Sequence, residues 1–438
     1  MRKRHQIAIA VAGVTALALT GCTEGGSGAL GSGETVTIIT SQAPWNPAYD
    51  AVVDAYEEAT GVTVDVRAFP NDEVKTQMLN DAQTGNHAFD VYQVNEVDMA
   101  AFNAGGLLMP LTDIDPGFAL DAEVFTYDGL PYWDSAAGIF SEETGELTSI
   151  PLMGNLQILV YRSDIFEELG LSEPSSWEDA IANGQAAIDA GLARYGSVVR
   201  TQGVPGAAGV TYDFMGFFLG EGAELFANPG TDWTPTIDSP EGIRAATLFR
   251  QIAAQGPADP KTVGQAEAIA AMQAGDAAQL DVVAAAAAAM NDEANSNVVG
   301  KVAFAPLPQA TSATGTWNLG IPADLPEDRQ GPALDFVRWV TSEEGMEVFA
   351  ENGGIPTRSD AYDAPGISAD AQEYLDAVAA SAPTARGVFR FAFIGEFLNV
   401  SEPIIGSIAA GDVSPEEGMR QLQEAVTKVV ADAGYPMG

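Results

Sequence analysis

The chain has 438 residues, with 19 Lys and Arg against 61 Asp and Glu, a formal net charge of −42, one cysteine and two histidines. The length suits two or three domains, and 46% hydrophobic with 18% charged residues is a globular composition. A surface this acidic repels nucleic-acid phosphates and anionic headgroups, one cysteine closes no intramolecular disulfide, and so few histidines leave a Cys/His zinc site almost without ligands.

The first element is a targeting segment. Met1-Arg2-Lys3-Arg4 is basic, and Gln6 to Gly21 carries no charge, with its apolar part from Ile7 to Leu19. That is the layout of a signal peptide, shorter than the about 20 apolar residues of a membrane span. Leu19-Thr20-Gly21-Cys22 resembles the bacterial lipobox, which predicts removal of residues 1–21, lipidation of Cys22 and a domain tethered at the outer face of the cytoplasmic membrane. Thr23 to Gly33 (TEGGSGALGSG) then reads as a flexible linker, with a root-mean-square reach of about 18 Å.

Thr35-Val-Thr-Ile-Ile-Thr40 is a β-branched run and predicts a buried strand. Asn46-Pro47 predicts the start of a helix that places Val52, Val53, Tyr56 and Ala59 on one face and stops at Gly61. Strands at Val62 to Val66 and Phe89 to Tyr92 continue an alternation that argues for an α/β class. Leu156 to Tyr161 predicts a strand feeding a helix capped by Ser163 and ended by Gly170, and Ser176 caps the next through Ile188. A helix from Gln265 to Ala274 stops at Gly275, and Ala277 to Val282 follows as a strand. Ser414-Pro415-Glu416-Glu417 opens a last helix whose inner stripe is Met419, Leu422, Val426 and Val429.

Catalytic signals are sparse. If the targeting segment is removed, His87 is the sole imidazole, in the turn-like Thr84-Gly85-Asn86-His87, and no Gly-x-Ser-x-Gly elbow accompanies it. There is no phosphate-binding Gly-x-x-x-x-Gly-Lys and no Gly-x-Gly-x-x-Gly after the first strand. Asp113-Ile-Asp115 lacks a Gly-bearing twelve-residue calcium loop. Two of the many carboxylates meeting across a cleft could still hydrolyse a glycoside, so a secreted glycoside hydrolase is the rival reading. No cofactor and no metal is called for.

A binding constellation is more visible. Trp45 follows the first strand, Tyr212 lies in a Gly-rich stretch, Trp317 sits in Gly315-Thr-Trp-Asn318, and Phe391 adjoins Arg390. In open α/β sheets ligands bind beyond the carboxyl ends of strands, and aromatic faces there suit the C–H side of a sugar while polar side chains bond its hydroxyls.

A wider pattern surrounds these residues. Glu57-Glu58-Ala-Thr-Gly61-Val-Thr-Val64 is followed by Phe89-Asp-Val-Tyr and Gly105-Gly-Leu-Leu-Met-Pro-Leu111. Then come Ile150-Pro-Leu-Met-Gly-Asn-Leu-Gln-Ile-Leu-Val-Tyr-Arg162, Pro174-Ser-Ser-Trp-Glu178, Glu267 to Ala278, and Phe336 to Glu344 ahead of Gly353-Gly-Ile-Pro-Thr-Arg358. In this order and spacing, the chain from Glu34 to its C-terminus resembles the extracellular solute-binding proteins of ABC importers, the group that contains maltose-binding protein.

The resemblance implies a two-lobed periplasmic-binding-protein-like fold, with residues 34–155 and 310–352 as lobe 1, 156–309 and 353–438 as lobe 2, and crossings near Pro151 to Leu156, Ala310 and Gly353. It implies a monomer that captures a small sugar or polyol between the lobes and hands it to membrane permease subunits, without enzymatic turnover. Asn155, Asn95, Glu96, Tyr212, Asp213 and Asp281 fall at positions where the family places ligand contacts. After Asp281 the aromatic platform usual in the family is missing, which leaves Arg390 and Phe391 as replacements and Trp45 and Trp317 as stacking residues.

Overall fold

Residues 35 to 40 are all β-branched, and in strand Thr35–Ser41 every residue after Thr35 is buried, as a strand covered on both faces requires. The computed structural model describes residues 35–43 and 45–438. The expected signal peptide, the linker and Cys22 lie outside them.

Two open sheets form the frame. The first has the order Thr63–Phe69, Thr35–Ser41, Val91–Asn95, Trp317–Gly320, Ile150–Met153, and only Trp317–Gly320 runs against its neighbours. The second has the order Val302–Pro306, Gln157–Arg162, Ala277–Val283, Tyr195–Val198. Helix Asn46–Thr60 covers the first sheet with Tyr49, Val52, Val53 and Tyr56 inward and ends at Gly61 in the left-handed conformation (φ 74°). Trp45, not Asn46, occupies its cap position, because the Asn46 side chain instead accepts from the Ala43 N–H at 3.0 Å. Ala59 is exposed. Ser176 and Ser414 cap their helices, accepting from Asp179 and Glu417 N–H respectively, whereas Ser163 is already helical and Arg162 precedes it as the cap. In the last helix Val430 rather than Val429 is buried beside Val426, since Val430 is eleven residues, three helical turns, on from Met419 and so returns to the same face.

The chain passes between lobes three times. The first crossing, after Met153, carries Gly154 and Asn155, and the second returns through Ser312 to Thr316 into strand Trp317–Gly320. The third lies beyond Ala385. Gly353, where the sequence placed it, stays with the first lobe, because the segment after it is stitched to first-lobe backbone: Gly154 N–H donates to Ile355, Phe125 N–H to Thr357, and the Thr357 hydroxyl to the Pro151 carbonyl at 2.7 Å. Ile355, Tyr362, Leu375 and Val378 share the core of Val36, Val52 and Phe336. Helix Ala369–Ser381 also leans on strand Val302–Pro306 of the second sheet, with Tyr374 against Phe304. Only at Phe389 does the chain join the second-lobe core, where helices Ile394–Ala410 and Pro415–Asp432 pack with Gly209–Gly220 and Pro240–Ala253. Among the described residues no helix is long and apolar enough to cross a membrane.

Candidate functional site

Both sheets aim strand ends at one cavity of about 590 Å³, within the about 300–1,000 Å³ usual for small-molecule sites. From the first lobe, strand Thr35–Ser41 delivers Ser41 and Gln42 and then Trp45, while strand Val91–Asn95 delivers Asn95, whose side chain accepts from Val97 N–H at 3.1 Å and so caps the next helix. Trp317 sits opposite Asn95 in the sheet register and packs on Trp45, ring centroids 5.5 Å apart and tilted by 52°. Trp317 is 5% exposed, and Trp45 is only half-buried. The apolar face offered to a ligand is therefore mainly that of Trp45, with Trp317 supporting it from behind.

The crossings supply Asn155 and Gly315. The Asn155 side-chain oxygen accepts from Ala285 N–H at 3.2 Å, and its carbonyl accepts from Gly315 N–H at 2.9 Å, so this residue joins the two lobes beneath the cavity. From the second lobe come Tyr212, whose hydroxyl donates to the Ala313 carbonyl at 3.0 Å, and Arg200, whose guanidinium lies 5.3 Å from the Tyr212 ring centroid. Val283, Ala285 and Ala286 form the wall where an aromatic platform is missing.

Five predicted residues thus meet at the cavity: Trp45, Asn95, Asn155, Tyr212 and Trp317. The other five do not. Asp213 is fully buried behind Arg200, taking N–H bonds from Arg200 Nε at 2.8 Å, from the Arg200 main chain at 2.7 Å and from Gln157 at 2.9 Å, besides the Arg200 terminal nitrogen. Asp281 is buried beside it, bonded to Gln157 Nε2 at 3.2 Å and without a partner for Oδ2 among the described residues. Burial first, and the Asp213 charge second, push the Asp281 carboxyl well above the usual range. Burial raises the Asp213 carboxyl as well, but the Arg200 guanidinium and the N–H donors on it work against that rise, so of the two carboxyls Asp281 is the one that holds its proton to higher pH. Glu96 turns inward to the second crossing, accepting from the Thr314 hydroxyl at 2.7 Å and from Thr316 N–H at 3.0 Å. Arg390 and Phe391 line a different cavity of about 270 Å³ between Phe140 of the first lobe and Phe226 and Trp233 of the second, and Phe391 is core to an aromatic cluster.

Several charged or polar groups on the wall, Arg200 among them, escaped the sequence reading. Lys75 and Asp98 form an ion pair at 2.5 Å on the first-lobe side, and Gln265 lies 3.4 Å from Arg200 on the other. The signal that could have found Lys75 and Arg200 is scarcity: with 19 basic residues in the chain, one at a strand end or cleft-side helix is conspicuous. Among the described residues, no group of three or more His, Cys, Asp or Glu could hold a metal ion.

The profile of the bacterial extracellular solute-binding proteins matches residues 40–347. The chain belongs to that family. Membership places it outside the cytoplasm, among proteins that bind solutes. A Sinorhizobium fredii protein named "Probable amino-acid ABC transporter periplasmic-binding protein" is 23% identical over 77% of this chain and 75% of its own. The erythritol/L-threitol-binding protein of Mycolicibacterium smegmatis is 24% identical over 79% of this chain and 75% of its own. An ABC transporter solute-binding protein from Agrobacterium radiobacter, solved in complex with ribitol, superposes with a TM-score of 0.73 at 21% identity, over 91% of this chain and 99% of that one. At that identity the likeness is one of fold, and it establishes the two-lobed architecture.

Proposed function

We propose that this chain is the solute-capturing lipoprotein of an ABC importer, a monomer anchored through Cys22, and that it takes a polyhydroxylated small molecule, a sugar or sugar alcohol, in the interlobe cavity. The observation that carries the reading is the cavity of about 590 Å³ walled by both lobes, with an indole face on one side and hydrogen-bonding Asn95, Asn155, Arg200 and Gln265 around it. A relative named for erythritol and L-threitol and a neighbour solved in complex with ribitol support the ligand class. A ligand that touches both lobes favours their closed arrangement by its differential affinity for it, and the closed form is what a permease would read.

The rival glycoside hydrolase needs two carboxylates flanking a bond, about 5–9.5 Å apart. Among the described residues the cavity wall carries one, Asp98, held by Lys75. Thermal-shift titration with erythritol, ribitol, mannitol, glucose, maltose and a set of amino acids tests the proposal. A shift with at least one sugar or polyol and no product formation is expected, whereas a response confined to amino acids would replace the ligand class.

Trp45→Ala is expected to weaken binding of the responding ligand by about 1.5–3 kcal/mol, the worth of one apolar side chain's buried surface. Isothermal calorimetry gives the number. An unchanged affinity would take Trp45 out of the site.

A further inference from the structure

Glu96 and Arg390, both absent from the cavity wall, meet where the three crossings converge. The Arg390 main chain belongs to the second lobe, because Phe389 and Phe391 on either side are 1% and 3% exposed within that lobe's aromatic core. Its side chain leaves that lobe. The guanidinium donates to the carbonyls of Tyr127 and Asp128, two consecutive non-glycine residues held at φ 46° and 67° in the first lobe, a conformation such residues adopt seldom and only when neighbours enforce it. Its Nε, otherwise unpartnered among the described residues, faces Glu96 Oε1 at 3.7 Å.

Glu96 is 1% exposed, and its two oxygens also take the hydroxyls of Thr314 and Thr316 and the Thr316 N–H, which are all on the second crossing. Tyr127, in turn, lies over the first crossing: a Cβ at Gly154 would collide with its hydroxyl and with the Pro356 carbonyl. One cluster therefore touches all three crossings, and Arg390 is its only member whose backbone is packed into the second-lobe core. Rotation of the lobes has to displace that guanidinium from its first-lobe acceptors.

We propose that Arg390 is an interlobe tether, seated on Glu96 and on the carbonyls of Tyr127 and Asp128, that holds the lobes in the arrangement in which both wall the cavity, without itself touching the ligand. This rests on the reading of that cavity as the ligand site. Arg390 acts as a positioning residue. Gly387 has its own part in this, since a Cβ there would strike the Arg390 guanidinium, so the folded path of the side chain requires glycine at that position although its φ lies outside the left-handed region.

The test measures the lobes without ligand. Spin labels at Glu58→Cys on the first lobe and Glu293→Cys on the second, both exposed positions, in a Cys22→Ala background, report interlobe distance by double electron–electron resonance. The parent protein is expected to give one narrow distribution, and Arg390→Met and Gly387→Ala a broader one reaching longer distances. In calorimetry with ribitol and maltose as probes, a tenfold fall in the competent population raises the apparent Kd about tenfold.

Should Arg390→Met fail to fold, Gly387→Ala decides, because it keeps every charge and only moves the side chain. Distance distributions identical to the parent's in the folded variants would overturn the tether. Broadened distributions in a protein that binds neither probe would leave the tether standing and sink the ligand reading instead.

Discussion

Arg200→Met is expected to destabilise the protein by about 3–5 kcal/mol, the cost of removing one partner from a buried ion pair, and to weaken ligand binding at the same time. The reason is the position of Asp213, which is fully buried on helix Gly209–Gly220 and loses its side-chain donors from Arg200 together. What remains is the main-chain N–H of residue 200 and Gln157, too few to hold a carboxylate charge away from water. Urea unfolding followed by tryptophan fluorescence measures the loss. Arg200→Lys restores the charge but not the planar fork, and is expected to fall between wild type and Arg200→Met. Adding Asp213→Asn to Arg200→Met removes the orphaned charge and should recover most of the stability, while affinity stays low because the cavity still lacks its guanidinium. A single variant within about 1 kcal/mol of wild type would show that the pair contributes little.

The same pair shows where sequence reasoning ends. Strand ends and helix starts are local signals, so the loops bearing Trp45, Asn95 and Asn155 could be placed on the cleft side from their flanking patterns alone. Which neighbour on a helix faces the cleft is a different matter. Tyr212 and Asp213 are adjacent, about 100° apart around the axis, on a helix whose residues from Val210 to Leu219 are all buried, so no polar stripe marks its inward face. Glu96 follows Asn95 by one residue and points the other way, into the crossing, because Thr314 and Thr316 collect it there. Those threonines are more than two hundred residues distant.

The third crossing failed for the same cause. Gly353 to Arg358 reads as a boundary, yet its backbone returns to strand partners near 124 and 151–154. That pairing is set by tertiary packing, which leaves no periodicity in the local sequence. Lys75, Asp98 and Gln265 are likewise brought together by the fold, from helices that look like ordinary solvated ones.

Asp281→Asn is expected to stabilise the protein at neutral pH, a rare direction for a substitution at a buried strand residue. In wild type the Asp281 carboxyl is raised by burial and by Asp213, and its Oδ2 has no partner among the described residues. Between the unfolded value near 3.8 and the raised folded value, the folded state holds a proton that the unfolded state has released. Stability attributable to this group is therefore fully present below about pH 4, declines as pH rises through that window, and is constant above the folded value. Asparagine cannot titrate, keeps an acceptor for Gln157 Nε2 and offers an N–H toward the unpaired Gln157 Oε1. The difference in unfolding free energy, variant minus wild type, should thus grow from pH 4 upward by about 1.4 kcal/mol per pH unit and level off once the pH passes the raised folded value. Surface carboxylates such as Asp115, Asp134 and Glu417 are shifted the opposite way, so stability itself falls in acid, and only this difference isolates Asp281. A difference that is flat with pH would mean that Asp281 is already ionised in the folded state, and that Arg200 serves two carboxylates rather than one.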